Sequence, residues 1–169
     1  MVRESVPSSM SSHDGGLSGY RMTDDEVERV LRGQGYGVLS MADGGEAYGL
    51  PISFGYDGER LYFLLQRQHE RSRKARFVER TTRASFLVFG VAGKDDWYSV
   101  VVDGPLRRVG DDGWATLVAA VEDNAWFPSL FSEAEPMQGW LGYELASEAV
   151  SGLKGADARL PEPEPESEA

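Results

Sequence analysis

The sequence predicts a mainly β fold, a small six-stranded antiparallel barrel with helices at its periphery. Three observations lead to this fold class. Strand-like segments crowd the middle of the 169-residue chain, short turn signals separate them, and the helical segments do not alternate with them. The last observation argues against a doubly wound parallel sheet, in which helices and strands alternate.

The first predicted element is a helix that begins after Thr23. Thr23 and Glu26 have the spacing of a capping box, in which each side chain accepts a backbone N–H at the helix start. Val27, Val30 and Leu31 recur at helical spacing and form one apolar stripe. The glycines that follow this stripe are expected to end the helix.

Strands are predicted from apolar runs bounded by Gly, Asp and Pro. The six predicted strands are Tyr36–Met41, Ala47–Tyr56, Arg60–Leu65, Arg83–Val91, Trp97–Val109 and Trp140–Leu145. Asp57-Gly58 is a hairpin signal, and Asp103-Gly104-Pro105 predicts a bend or bulge in the long fifth strand. Two more helices are expected, one beginning near Ser72 and one at Trp114–Ala125.

The chain is expected to hold one domain, residues 20–158, between two disordered ends. The head, residues 1–19, is rich in Ser and Gly, and the acidic tail, residues 159–169, alternates Pro and Glu. No run approaches the ~20 apolar residues of a membrane span, and the head lacks the apolar centre of a signal peptide. A cytoplasmic location without a membrane partner is therefore predicted.

Charge and composition exclude several classes of function. With 17 Lys and Arg against 28 Asp and Glu, the formal net charge is −11, which disfavours binding to the phosphates of nucleic acids. The absence of cysteine excludes disulfides, thiolate metal sites and cysteine nucleophiles. Excess carboxylate with only 3 lysines favours a halophilic protein over an ordinary acidic cytosolic one, because high salt screens its self-repulsion.

The segment from Arg67 to Arg83 reverses the acidic trend. Seven basic residues against two glutamates give it a net charge of +5. Arg73 and Lys74 fall in the first turn of the helix expected near Ser72, where they could grip a dianionic phosphate beside free backbone N–H groups. The alternative is a solvated helix face whose arginines pair with acidic neighbours.

Other candidate groups are isolated in the sequence. His69 could meet a phosphate, a haem or solvent, and a solvated loop residue is favoured, while His13 lies in the head. Two histidines without cysteine disfavour a zinc site, so no metal site is predicted. Trp126-Phe127-Pro128 could form a lid over a pocket, although simple packing is favoured.

Four segments follow one another in the middle of the chain: an Asp-Gly turn, a Leu-Tyr-Phe strand, the run Ser72-Arg73-Lys74-Ala75 and a strand over Ala84–Phe89. Their order resembles that in the pyridoxamine 5′-phosphate oxidase superfamily of FMN-binding split barrels. In that superfamily a similar Ser-Arg-Lys-Ala run holds the FMN phosphate. Val100–Leu106 resembles the family's next strand. The opening at Arg21-Met22-Thr23 and the strand Tyr48–Phe54 are similar to the smaller, nitroimidazole-resistance-like members.

The resemblance implies a split β-barrel that binds FMN between the subunits of a homodimer and uses it to oxidise or reduce a small molecule. It implies phosphate contacts from Arg73 and Lys74, with Ser72 beside them. The other residues implied are Leu50, Pro51, Ile52 and Ser53 along the isoalloxazine, Leu65 and Gln66 near the ribityl chain or phosphate, and Tyr98 and Ser99 where the partner strand approaches the flavin.

The sequence also departs from the family pattern. The C-terminal Arg-x-His that binds pyridoxal substrates in the oxidase has no counterpart, because neither histidine is near the C-terminus. An FMN-dependent oxidoreductase other than pyridoxamine-phosphate oxidase is therefore expected, without a predicted catalytic acid or base. The alternatives are a non-catalytic flavin-binding or storage protein, a split barrel that binds haem or deazaflavin, and a structural protein without a ligand.

Overall fold

A computed structural model describes residues 19–66, 73–124 and 139–162. These residues form nine strands and three α-helices, with a 3₁₀ turn over Asp111–Gly113. In chain order the elements are β1 (Tyr20–Arg21), α1 (Asp24–Gly33), β2 (Tyr36–Asp43), β3 (Glu46–Ser53), β4 (Gly55–Tyr56), β5 (Arg60–Gln66), α2 (Arg73–Arg80), β6 (Arg83–Val91), β7 (Trp97–Arg108), α3 (Trp114–Asn124), β8 (Trp140–Ala146) and β9 (Ala149–Lys154).

The strands form one antiparallel sheet in the order β3-β2-β6-β7-β8-β5-β4, with β9 also paired to β7 and to β1. The 12-residue strand β7 connects the two parts of this sheet. On one side it pairs with all of β6, and on the other it pairs with β9 over Tyr98–Asp103 and then with β8 over Leu106–Arg108. This arrangement agrees with the predicted split barrel.

Gly104 lies where β7 passes from β9 to β8. A Cβ at this position would lie 1.8 Å from the carbonyl oxygen of Ala146, at the end of β8. Only glycine fits there, because the two backbones are in contact. The Asp103-Gly104-Pro105 signal in the sequence therefore marks the point at which β7 changes partners.

Helix α1 confirms the predicted capping box. The Glu26 N–H donates to Thr23 Oγ1 over 3.3 Å, and the Thr23 N–H donates to Glu26 Oε2 over 3.0 Å. The Glu26 carboxylate also binds the Lys154 ammonium, which joins α1 to β9. Val30 and Leu31 are buried against the barrel, as the apolar stripe predicts.

Aromatic side chains fill the barrel. Phe54, Phe63 and Phe86 are fully buried, and the Phe86 ring centre lies 5.0 Å from those of the other two. Phe77 and Val78 of α2 are buried in the same cluster. These two residues seat α2 on the barrel and so fix the position of its first turn, which carries Arg73.

The prediction of six strands is wrong, because nine lie in the described residues. The segment Ala47–Tyr56 is two strands, β3 and β4, interrupted at Phe54. The two strands absent from the prediction, β1 and β9, have two and six residues and lack a clear apolar alternation. Their pairing with each other and with β7 holds them in the sheet.

The packed chain continues to Glu162, four residues into the segment expected to be tail. The Arg159 guanidinium binds the Asp96 carboxylate, with Nε 2.7 Å from Oδ2. Leu160 packs against the main core. Among the described helices, none is long and apolar enough to cross a membrane.

Candidate functional site

Three arginines of the basic segment are tied to carboxylates. The ion pairs are Arg76 with Glu46 (2.6 Å), Arg80 with Asp43 (3.3 Å) and Arg83 with Glu148 (2.7 Å). The three arginine side chains are 44–65% exposed, so each pair contributes at most about 1 kcal/mol to stability. The solvated, ion-paired helix face considered from the sequence accounts for this part of the segment.

Arg73 and Lys74 differ from these arginines, because neither forms a salt bridge with any residue that the structure describes. The Arg73 guanidinium carbon lies 5.1 Å from the ring centre of Tyr48 and 5.5 Å from that of Phe77. These cation–π contacts orient Arg73 over β3 without neutralising its charge. Lys74, the next residue, is half-buried.

The first turn of α2 is electropositive. It contains no acidic residue, whereas the first turn of α1 contains Asp24, Asp25 and Glu26. Free N–H groups give a helix start a partial positive charge, which acidic side chains stabilise and cations oppose. The charges of Arg73 and Lys74 therefore repel the positive start of α2, and a bound anion would offset this repulsion.

Strand β3 forms an open edge beside this turn. Within the described part of the chain it pairs only with β2. The Phe54 N–H donates to the Gly35 carbonyl, and alternation along an antiparallel ladder then directs the backbone groups of Gly49, Pro51 and Ser53 away from β2. Proline is tolerated there because an edge strand needs no N–H at that position.

The side chains of β3 alternate across the sheet. Leu50 and Ile52 are half-buried and pack against the main core, and Pro51 is exposed on the opposite face. Ser53 is half-buried at the end of the strand. The strand thus offers both apolar side chains and free backbone carbonyls along one edge.

The end of β5 contributes one buried and one exposed residue. Leu65 is 3% exposed in the core and lies opposite Leu141. Gln66 is exposed, lies opposite Trp140 and is the last residue described before the gap at 67–72. Only Gln66 of this pair presents its side chain to solvent.

Tyr98 and Ser99 lie on opposite faces of β7. Tyr98 points into the barrel, where its hydroxyl donates to Gln34 Oε1 over 3.0 Å, and burial, followed by the nearby Tyr36, raises the pKa of the Tyr98 hydroxyl. In the sheet order β7 lies three strands from β3, about 14 Å at the usual strand spacing. Within one chain these residues and the β3 edge are therefore separate.

Several predicted residues lie outside the described residues: Ser72, His13, His69 and the segment Trp126-Phe127-Pro128. In the part that is described, no group of three or more His, Cys, Asp or Glu side chains could hold a metal ion. The structure does bring Arg73 of α2 onto Tyr48 of β3, two residues from Leu50 and on the same strand face. Sequence reasoning missed Tyr48, although its two-residue spacing from Leu50 was a usable signal.

A sequence model of the family described as pyridoxamine 5′-phosphate oxidase matches residues 23–154, most of the chain. The chain belongs to the pyridoxamine 5′-phosphate oxidase family. This assignment agrees with the split barrel. A comparison with curated protein sequences finds no significant match.

Solved structures share the fold of this chain. A FAD-binding protein from Mesorhizobium loti is 21% identical over 80% of this chain and 96% of its own, with a TM-score of 0.65. A proposed 5-nitroimidazole antibiotic resistance protein from Bacteroides thetaiotaomicron is 14% identical over 86% and 95%, also with a TM-score of 0.65. A FAD and haem binding protein from Mycobacterium smegmatis is 15% identical over 83% and 74%, with a TM-score of 0.62.

Proposed function

We propose that this chain binds FMN, with the phosphate at the start of α2 and the isoalloxazine along β3, and oxidises or reduces a small molecule. One observation carries the proposal: Arg73 and Lys74 are adjacent cations without carboxylate partners among the described residues, at an acid-free helix start. Arg binds phosphate oxygens in a bidentate manner, Lys acts as a point charge, and the helix N–H groups add donors. This donor set fits a terminal dianionic phosphate.

The β3 edge supports the same proposal. The isoalloxazine has an apolar face and a polar rim of carbonyl and N–H groups. Leu50 and Ile52 supply an apolar surface, and the free backbone groups of Gly49 and Ser53 supply hydrogen-bond partners for the rim. Arg73 stacks on Tyr48 of this strand. The residues proposed to bind the phosphate are therefore in direct contact with the strand proposed to bind the isoalloxazine.

When bound, FMN supplies the hydride or electron transfer chemistry, and the protein contributes binding, orientation and electrostatics. Arg73 and Lys74 hold the anionic end of the cofactor. The half-buried side chains of β3 shield one side of the ring from water. This division of roles requires no catalytic acid or base from the protein.

A second copy of the chain is proposed to complete the site. Five large apolar side chains are exposed on strands β2, β6 and β9: Tyr36 (47%), Phe89 (40%), Val91 (73%), Val150 (44%) and Leu153 (44%). Phe89 lies opposite Ser99, and Ser99 lies opposite Leu153, so these three share one outer face. Exposed apolar patches of this kind are typical of subunit interfaces.

FMN is proposed over FAD and haem. FMN ends in a dianionic phosphate, which matches two adjacent cations, whereas each phosphate of the FAD pyrophosphate carries one negative charge. Haem binding rests on His69 as the axial ligand, and His69 lies outside the described residues. Because the chain is similar to FAD-binding and haem-binding proteins, the test must include FAD and haem as well as FMN.

Titration of the full chain with FMN, FAD and haem tests the proposal. The Arg73→Ala/Lys74→Ala variant is compared with Arg80→Ala/Arg83→Ala, which removes the same charge from ion-paired positions. The first variant is expected to bind FMN at least about tenfold more weakly, since charge-assisted bonds contribute about 1.5–3 kcal/mol. The control is expected to bind within about twofold of wild type, as its exposed pairs contribute little.

Failure of the wild-type chain to take up FMN, or equal loss in the two variants, would overturn the proposal. Turnover of the FMN-loaded protein with a nicotinamide reductant separates an oxidoreductase from a flavin-storage protein. Flavin uptake with negligible turnover would support storage.

A further inference from the structure

A groove lies near the other end of α2 from Arg73, and the proposed flavin site does not use it. Its volume is about 520 Å³, within the usual range of small-molecule sites. The last turns of α2, the loop after it, the end of β7 and one residue of β8 form its walls. Val78 on this wall is five residues after Arg73, about 8 Å further along the helix axis.

Two adjacent arginines, Arg107 and Arg108, line this groove. Neither Arg107 nor Arg108 forms a salt bridge with a described residue. Arg107 lies opposite Glu144 on β8, yet the Glu144 carboxylate binds Arg60 over 3.3 Å. Glu79 also lines the groove, so it reduces the positive charge there but does not cancel that of both arginines.

The Tyr143 hydroxyl adds a hydrogen-bond donor to the groove. Tyr143 lines the groove and is 4% exposed as a whole residue. Burial raises the pKa of this hydroxyl, while Arg108 lowers it and Glu79 raises it. The Tyr143 hydroxyl is therefore protonated, and it can donate a hydrogen bond near the charged groups of Arg108 and Glu79.

We propose that this groove is a second ligand site, which binds a small organic anion with one phosphate or carboxylate on an apolar body. Arg108, which lies opposite Tyr143 on β8, pairs with the anion, and the Tyr143 hydroxyl donates a hydrogen bond to it, while Arg107 adds positive charge from the next position of β7. Val78 and Leu106 contact the apolar body, since both line the same groove. The site is independent of the flavin site, because the two use different turns of α2 and different strands.

Calorimetric titration of the full chain with phenyl phosphate, benzoate and inorganic phosphate tests this site. The Arg107→Ala/Arg108→Ala variant is expected to bind the organic anions at least about tenfold more weakly, and Tyr143→Phe about fivefold more weakly. The control variant Arg80→Ala/Arg83→Ala is expected to stay within about twofold of wild type. Inorganic phosphate should bind more weakly than phenyl phosphate, because it has no apolar body.

The two organic probes distinguish the anion class. Binding of phenyl phosphate without benzoate assigns phosphates, and the reverse assigns carboxylates. The proposal is overturned by absent binding of both probes, by equal binding in the Arg107→Ala/Arg108→Ala variant, or by loss of binding in Arg73→Ala/Lys74→Ala alone. If the double arginine variant does not fold, Tyr143→Phe decides, and an unchanged affinity in that variant overturns the proposal.

Discussion

Gly104 is the position at which a single methyl group should damage the barrel most. In Gly104→Ala the new Cβ would lie 1.8 Å from the Ala146 carbonyl oxygen, whereas real Cβ atoms essentially never approach another heavy atom within 3.0 Å. The two backbones would have to separate by at least about 1.2 Å where β7 changes partners. Overpacking in a well-packed region costs about 1–3 kcal/mol, occasionally more, and we expect at least the upper end because backbone atoms must move.

Urea unfolding followed by tryptophan fluorescence measures this cost. Gly110→Ala is the matched control, because a Cβ at Gly110 would meet no atom within 4 Å, and its free energy of unfolding should change by less than about 0.5 kcal/mol. A Gly104→Ala protein with wild-type stability would refute the close approach of β7 and β8.

Three further predictions concern α1 and the β4–β5 turn. Thr23→Ala removes the capping hydroxyl and should lower the free energy of unfolding by about 1 kcal/mol; calorimetry showing no loss would contradict the capping box. Asn124→Ala leaves the buried Leu31 carbonyl without its 2.8 Å donor and should cost about 1–3 kcal/mol, whereas an unchanged urea midpoint would contradict that bond. Burial would raise the pKa of Asp57, but backbone N–H groups and the Tyr62 hydroxyl bind its carboxylate and lower that pKa overall. Its stabilising effect is therefore present above the ordinary pKa of 3.8 and is lost as the pH falls below it. The stability gap between wild type and Asp57→Asn should shrink on acidification from pH 5 to pH 2, and a constant gap would contradict this assignment.

The elements with strong local patterns were predictable from the sequence. The Thr23–Glu26 capping box defines the start of α1, and long apolar runs define β5, β6 and β7, since each pattern reports its own secondary structure. β9 was missed because its six residues, Ala149–Lys154, lack a clear alternation and are held by pairing with β7. Long-range pairing of this kind leaves little trace in the local sequence.

The candidate site was predictable only in part. The basic segment from Arg67 to Arg83 pointed to α2 as a candidate site. The sequence alone did not distinguish its ion-paired arginines, Arg76, Arg80 and Arg83, from Arg73 and Lys74. That distinction depends on which carboxylates the fold brings near, and Glu46 and Glu148 are distant along the chain. The contact between Arg73 and Tyr48 likewise depends on how α2 sits on the barrel.

Comparison of FMN with riboflavin tests the central claim most directly, because the two flavins differ only by the phosphate. If Arg73 and Lys74 hold that phosphate, the wild-type chain should bind FMN at least about tenfold more tightly than riboflavin. This preference should disappear in Arg73→Ala/Lys74→Ala and persist in Arg80→Ala/Arg83→Ala. Equal affinity of the wild-type chain for the two flavins, or a preference that survives in the first variant, would contradict the account.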